Sequence, residues 1–208
     1  MRIAPEGRPF IIAAWLLALA LVAFGWWIAA ALWLPIAAWV VAFFRDPERA
    51  GPRGDHLIIA PADGKVVSII PIDEPDVVGG AATRISIFMN VFNVHVNRYP
   101  TDGEVTFRRH REGKFVNAAL EKAALENEQS DIGQLSPGGP ILSRQIAGLV
   151  ARRIITDHAV GHPARQGERM GLIRFGSRVD VFVPAGTTVL VREGDVTQAG
   201  VTVVAEWQ

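Results

Sequence analysis

Two residues in this chain have the types and the order needed to cut a polypeptide from within: Gly176 followed directly by Ser177. Glycine carries no Cβ to crowd its carbonyl carbon, and it reaches backbone conformations closed to other residues. A serine hydroxyl folded back onto that carbonyl is a nucleophile aimed at its own preceding peptide bond. By itself a Gly-Ser pair in front of an alternating apolar strand reads as an ordinary turn. A serine is also a weak nucleophile at neutral pH; it needs a base, and the base needs an orienting group. Two upstream residues have that chemistry: His95, in Asn93-Val94-His95-Val96-Asn97-Arg98, and Asp63, in Pro61-Ala62-Asp63-Gly64-Lys65-Val66. On a strand the imidazole of His95 faces away from its valine neighbours and is free to leave the core for the cleavage site. Asp63 sits in an Ala-Asp-Gly sequence that equally suits a turn.

Composition removes several other chemistries. Lysine plus arginine and aspartate plus glutamate stand at 21 each, so there is no global charge preference for nucleic acid. Cysteine is absent, which excludes disulfides, thiolate metal sites and a cysteine nucleophile. The lysines are Lys65, Lys114 and Lys122, and none lies in a recognisable setting for pyridoxal phosphate. His158 and His162 have a spacing that mimics a metal site, but the sequence offers them no further ligands, so no metal is expected.

The elements that must position these residues fall into three stretches. Residues 1–44 read as a membrane-associated segment. From Pro9 to Phe44 there is no charged residue, a run longer than the roughly 20 residues one helix needs to cross the hydrocarbon layer. Trp15, Trp26, Trp27 and Trp33 lie within it, as suits an interfacial segment. The run is too long for a secretory signal and has no convincing cleavage site after it, so it is expected to be retained. Gly25 and Pro35 allow either one long tilted helix or two short ones in a hairpin. Basic residues on both flanks, Arg2 and Arg8 before, Arg45, Arg49 and Arg53 after, favour the hairpin with both ends on the cytoplasmic side.

Residues 45–56, rich in Pro, Gly and charge, read as a linker. Residues 57–208 read as a mainly β domain of α+β type, a β-sandwich or barrel. Strands are expected at 57–60, 64–70, 84–89, 103–107 and 146–155, then at 179–183, 188–192 and 201–206, with a helix at 115–128. The Gly-Asp-x-Val-x-x-Gly pattern at Gly194 to Gly200, and Pro-Ala-Asp-Gly-Lys-Val, look like the hairpins of a lipoyl-type module. That likeness carries a rival reading, a membrane-anchored β-sandwich adaptor without enzymatic activity, or a carrier modified at Lys65.

Taken in order, Phe43 to Pro47, Pro61 to Val66, Phe88 to Asn90, Val94 to Arg98, Gly113 to Ala118, Asn127-Glu128 and Gly171 to Ser177 resemble the phosphatidylserine decarboxylase proenzyme family, particularly its shorter bacterial and archaeal members. The resemblance runs from about Phe44 to the C-terminus. It implies autocatalytic cleavage between Gly176 and Ser177, which yields a large subunit, 1–176, and a small one, 177–208, that stay associated. Ser177 would become a covalent pyruvoyl cofactor that condenses with the substrate amine. Asp63 and His95 would be the catalytic partners. The implied reaction converts phosphatidylserine to phosphatidylethanolamine and carbon dioxide in phospholipid biosynthesis, on the cytoplasmic face of the cell membrane; a related serine lipid is an alternative substrate.

Two positions depart from the family pattern. Arg98 stands where longer members carry a second histidine, so His95 serves both steps or His110 supplies one. Arg178 replaces a threonine and is expected either to pair with a phosphate or to face water. Arg98, Arg109 and Arg111 are candidates for the head-group phosphate. A homodimer is the base-rate expectation.

Overall fold

The computed structural model describes residues 2–120, 122–148, 153–174 and 176–208. These fall into two compact units, 1–48 and 49–208, divided within the stretch read as a linker.

The first unit is a helical hairpin. A two-residue strand, β1 (Arg2–Ile3), precedes helix α1 (Arg8–Ala23), and helix α2 (Trp27–Phe43) leads into β2 (Arg45–Asp46). Gly25, at φ +74°, makes the turn between the helices, a left-handed conformation that glycine adopts without steric cost. Pro35 stays inside α2 and does not end it. The helices run side by side, with the Trp33 indole N–H donating to the carbonyl of Ala14 at 2.8 Å. β1 pairs antiparallel with β2, placing Arg2 opposite Asp46, so both ends of the hairpin meet, as the basic flanks suggest. With 16 and 17 residues, the helices measure about 24 and 26 Å; a single turn at Pro5–Gly7 lengthens the first towards the roughly 30 Å hydrocarbon layer. Ile12, Leu16, Leu19, Trp27, Ile28 and Leu32 project outward. Among the described residues one helical stretch, Pro5–Ala23, is long and apolar enough to cross a membrane, with a mean hydropathy of 1.6.

The second unit is antiparallel β structure. Its strands are β3 (Leu57–Ile59), β4 (Gly64–Glu74), β5 (Gly80–Met89), β6 (Val96–Arg98), β7 (Gly103–Arg111), β8 (Gln129–Ser136), β9 (Gly139–Ala147), β10 (Arg153–Thr156), β11 (Pro163–Ala164), β12 (Arg169–Arg174), β13 (Ser177–Pro184), β14 (Thr188–Val189), β15 (Val196–Thr197) and β16 (Val203–Glu206). One curled eight-stranded sheet has the order β11-β7-β8-β9-β13-β5-β4-β15; two three-stranded sheets, β10-β12-β6 and β14-β16-β3, complete the unit. The mainly β fold expected from the sequence is therefore observed.

Some local readings need correction. The helix expected over 115–128 shrinks to α3 (Ala123–Glu126) among the described residues. Asparagines compete with the helix there: Asn117 Oδ1 caps the N–H of Ala119, and Asn127 bonds both the N–H and the carbonyl of Val116, local bonds that offer the backbone an alternative to helix. The strand read at 146–155 is two strands, β9 and β10, and residues 149–152 between them lie outside the described set. β8 escaped the sequence reading because its alternation is polar rather than apolar. Lys65 is the second residue of β4, opposite Phe88 and Val196, not at a hairpin tip, which removes the setting a carrier lysine uses.

β13 is buried on both faces. One face, Val179, Val181 and Val183, packs with Val66, Ile85, Ile87, Ile141 and Ile173 in the main apolar core. The other carries Arg178 and Asp180, both with fully buried side chains, joined by Arg178 Nε to Asp180 Oδ1 at 2.5 Å and by Nη2 to Oδ2 at 3.0 Å. Arg178 Nη2 also donates to Ser86 Oγ at 2.7 Å. Neither water nor a phosphate is the partner of this residue. The charged row continues across the sheet: Arg144 Nε meets Asp131 Oδ1 at 2.5 Å, and Arg109 and Arg111 reach Asp131 Oδ2 at 3.0 and 3.5 Å. The loop joining β4 to β5 curls over β7 and β8, where Asp76 pairs with Arg109. A Cβ at Gly133 would lie 2.8 Å from Val77 Cγ2, so this approach needs a glycine.

A bidentate pair this deep is stable only while both partners remain. Asp180→Ala should therefore destabilise the chain by about 3–5 kcal/mol in denaturant unfolding, whereas Arg178→Met combined with Asp180→Leu should recover most of that loss. The Asp76–Arg109 clasp is acid-sensitive. Its hydrogen bond to Arg109 holds the Asp76 carboxyl below its ordinary value, so its contribution is present above about pH 4, the range of a free carboxyl, and disappears as pH falls through the lower folded value. The protection factors of the amides at residues 74–80, the intrinsic exchange rate over the observed one at each pH, should fall over that acid range and stay flat above it.

Candidate active site

Ser177 opens β13 in the middle of the large sheet, opposite Ala147 on β9 and Met89 on β5. Its side chain is fully buried, and Oγ donates to Met89 Sδ at 3.4 Å. Gly176, just before it, has φ +68°. Its carbonyl oxygen is lodged so close to Gly148 that a Cβ there would lie 2.2 Å from it, so position 148 tolerates no side chain while this carbonyl is in place.

His95, also fully buried, lies against the same peptide. The N–H of Gly176 donates to His95 Nε2 at 3.3 Å, and His95 Nδ1 lies 3.0 Å from the Asn93 carbonyl oxygen. A carbonyl only accepts, so Nδ1 carries the proton and Nε2 presents its lone pair to residue 176. The structure thus places Ser177, Gly176 and His95, all three named from the sequence, around one peptide.

Asp63 bonds to other partners. Its Oδ2 accepts from Arg49 Nη2 at 2.7 Å and its Oδ1 from the N–H of Ala199 at 2.8 Å; the atom that orients His95 is the Asn93 carbonyl. The three candidate phosphate arginines have internal partners. Arg98 Nη1 donates to the Gly167 carbonyl at 3.0 Å, and Arg111 Nη2 to Gln129 Oε1 at 2.6 Å, in addition to the contacts of Arg109 and Arg111 with Asp131. His110 is three strands from β13 and lies 3.6 Å from Glu128. It lines a cavity of about 310 Å³ with Glu112, Gly113, Phe115 and Glu128.

The structure adds residues that sequence reasoning missed. From Met89 Sδ a buried polar chain runs to Asn97 Nδ2 at 3.6 Å, from Asn97 Oδ1 to Gln145 Nε2 at 2.8 Å, from Gln145 Oε1 to Thr156 Oγ1 at 3.0 Å, and on to Ser130 Oγ at 2.8 Å. Gln145, on a stretch with Ile141, Leu142, Ile146 and Ala147 as well as Ser143 and Arg144, is the sequence signal that points to it. Gly148 gives no such signal, because its necessity comes from a carbonyl distant in sequence.

The described geometry is thus a buried serine behind a left-handed glycine, with a neutral histidine facing the peptide between them. The family model for phosphatidylserine decarboxylase matches residues 36–205. The chain is 48% identical over 204 residues to a phosphatidylserine decarboxylase proenzyme of Symbiobacterium thermophilum, covering 97% of this chain and 94% of that one. It is 47% identical over 210 residues to a protein of the same name from Aromatoleum aromaticum, covering 98% and 95% of the two. The chain belongs to the phosphatidylserine decarboxylase family.

Gln145→Ala leaves Asn97 Oδ1 and Thr156 Oγ1 short of a partner in a buried place. Denaturant unfolding should show a loss of about 1–3 kcal/mol; a loss no larger than that of an exposed substitution would mean the chain contributes nothing to stability.

Proposed function

We propose that this chain cuts itself between Gly176 and Ser177 and then decarboxylates phosphatidylserine, or a closely related serine lipid, with a pyruvoyl group at residue 177. The observation that carries the reading is the arrangement of one peptide: the Ser177 hydroxyl follows a Gly176 carbonyl held against Gly148, with His95 Nε2 beside it.

In the uncut chain the hydroxyl is parked on Met89. Rotation about χ1 brings Oγ to the Gly176 carbonyl carbon, and His95 Nε2 takes the hydroxyl proton. The Oγ–C bond forms and the C–N bond to Ser177 breaks as the proton passes from His95 to the leaving nitrogen, giving an ester and a free Ser177 amine. Loss of the Ser177 Cα proton then breaks the Cβ–Oγ bond, releasing the Gly176 carboxylate and a dehydroalanine, which water converts to the pyruvoyl group and ammonia. The residues present fit that group: Ser177, which would give rise to it, is buried, and His95 lies against the same peptide. Once formed, the ketone supplies the electron sink that decarboxylation of an amino acid requires.

His95 then has a second task, holding a proton at Nε2 for the carbon that loses carbon dioxide. With Arg98 in place of a second histidine and His110 three strands away, both tasks fall to His95. Asp63 acts as a positioning residue, tying Arg49 and residue 199 to the turn before β4. Phosphate binding by Arg109 or Arg111 would have to displace an internal carboxylate. The apolar hairpin of the first unit would keep the chain on the cytoplasmic face of the membrane, beside a substrate that rarely leaves it.

On a denaturing gel the purified chain should run as two pieces, and mass spectrometry of the smaller, 177–208, should find its first residue without an amine. Ser177→Ala and His95→Ala should remain whole. Gly148→Ala should slow cutting by orders of magnitude, because its methyl group pushes the Gly176 carbonyl out of place. An unbroken chain with an ordinary serine at 177 that still releases carbon dioxide from the lipid would falsify the reading.

A further inference from the structure

Away from the cleavage site, the loop after β10 and the turn before β12 bring three metal-ligating side chains together. His158, His162 and Glu168 each offer a ligand atom, and these atoms all lie within 4.8 Å of one another. The two imidazole rings stack, with centroids 3.6 Å apart and planes 4° from parallel, and His162 Nε2 is 3.4 Å from Glu168 Oε2. Sequence spacing alone supplied two histidines; folding supplies the carboxylate.

From this geometry we infer that His158, His162 and Glu168 form a binding site for a divalent transition metal, zinc being the best match to two imidazoles and one carboxylate.

The surroundings are those of a metal site rather than a chance encounter. Ligating histidines are normally oriented by a hydrogen bond from the ring nitrogen that does not hold the metal, and ligating carboxylates are themselves hydrogen-bonded. Here His158 Nδ1 lies 3.2 Å from the Tyr99 hydroxyl, which leaves Nε2 for a metal. Glu168 Oε2 accepts from the N–H of Arg165 at 3.0 Å. Tyr99 is fully buried and lies against both imidazoles, 5.8 and 6.1 Å between ring centroids.

The backbone at the ligands is pinned as well. The N–H of Val105 donates to the His162 carbonyl at 3.0 Å, that of Tyr99 to the Glu168 carbonyl at 2.8 Å, and that of Gly167 to the Tyr99 carbonyl at 2.9 Å. Arg108 Nη1 donates to the His158 carbonyl. Neighbouring Asp157 is paired with Arg169, Nε to Oδ2 at 2.7 Å, so it does not compete for the ion.

Zinc sits about 2.0–2.1 Å from a ligating nitrogen, a distance that rings stacked face to face cannot both meet. Binding therefore requires the imidazoles to tilt apart until their lone pairs converge. Both are half-buried rather than enclosed, which leaves room for that rotation. Three protein ligands leave a fourth position to water, and the bound ion would tie the 157–162 loop to the start of β12. This inference does not depend on self-cleavage.

The test is zinc titration of the full chain, purified in detergent and stripped with chelator, followed by competition with a chromophoric chelator. One equivalent should bind, and cobalt in its place should show the visible bands of a tetrahedral site. Removing both imidazoles, His158→Ala with His162→Ala, should abolish that equivalent. Glu168→Gln, nearly isosteric and so least disturbing to the fold, should weaken binding about tenfold or more, and Tyr99→Phe about 10–100-fold through the lost hydrogen bond. His56→Ala should change nothing. Absence of a stoichiometric equivalent in the wild-type chain overturns the inference, as does equal binding by wild type and Glu168→Gln or by wild type and the double histidine variant.

Discussion

An ion pair with no access to water holds the centre of this molecule. Arg178 and Asp180 lie on the strand that begins with Ser177, each buried and each the other's partner. Such a pair contributes little net stability over an apolar replacement, but it strongly penalises any arrangement that separates its members. A one-residue slip of β13 would send Arg178 and Asp180 into the apolar core and the valines onto the charged row. The register that places Ser177 opposite Met89 and Ala147 is thus enforced by the residues just after it. Arg144, Asp131, Arg109 and Arg111 extend the same constraint across β9, β8 and β7.

That constraint explains which parts of the structure could be read from the sequence. Strands with apolar alternation, such as 84–89 and 179–183, announced themselves. β8 did not, because Ser130, Asp131 and Gln134 look solvated until the sheet curls over them; Ser130 meets Thr156 and Asp131 meets Arg144 and Arg109, all on other strands. The expected helix over 115–128 failed for a local reason, since Asn117 and Asn127 hold the backbone in other bonds.

The site was legible in the same uneven way. Ser177, Gly176 and His95 were recognisable because the chemistry demands those types, and folding brought them together. Asp63 was a reasonable orienting partner on chemical grounds, but Arg49 and the N–H of Ala199 hold it while a main-chain carbonyl orients the imidazole. A carbonyl has no sequence signature. Nor does Gly148, whose value lies only in the Cβ it lacks.

β13 is flanked on both sides, by β9 and by β5. If the backbone opens ahead of Ser177, the shorter product supplies an interior slat of the large sheet, and also β14, β15 and β16. Pulling it out would expose two unsatisfied rows of amide and carbonyl groups at once, a surface prone to promiscuous pairing. The halves of one molecule should therefore stay partners for life, with no exchange between neighbours short of global unfolding.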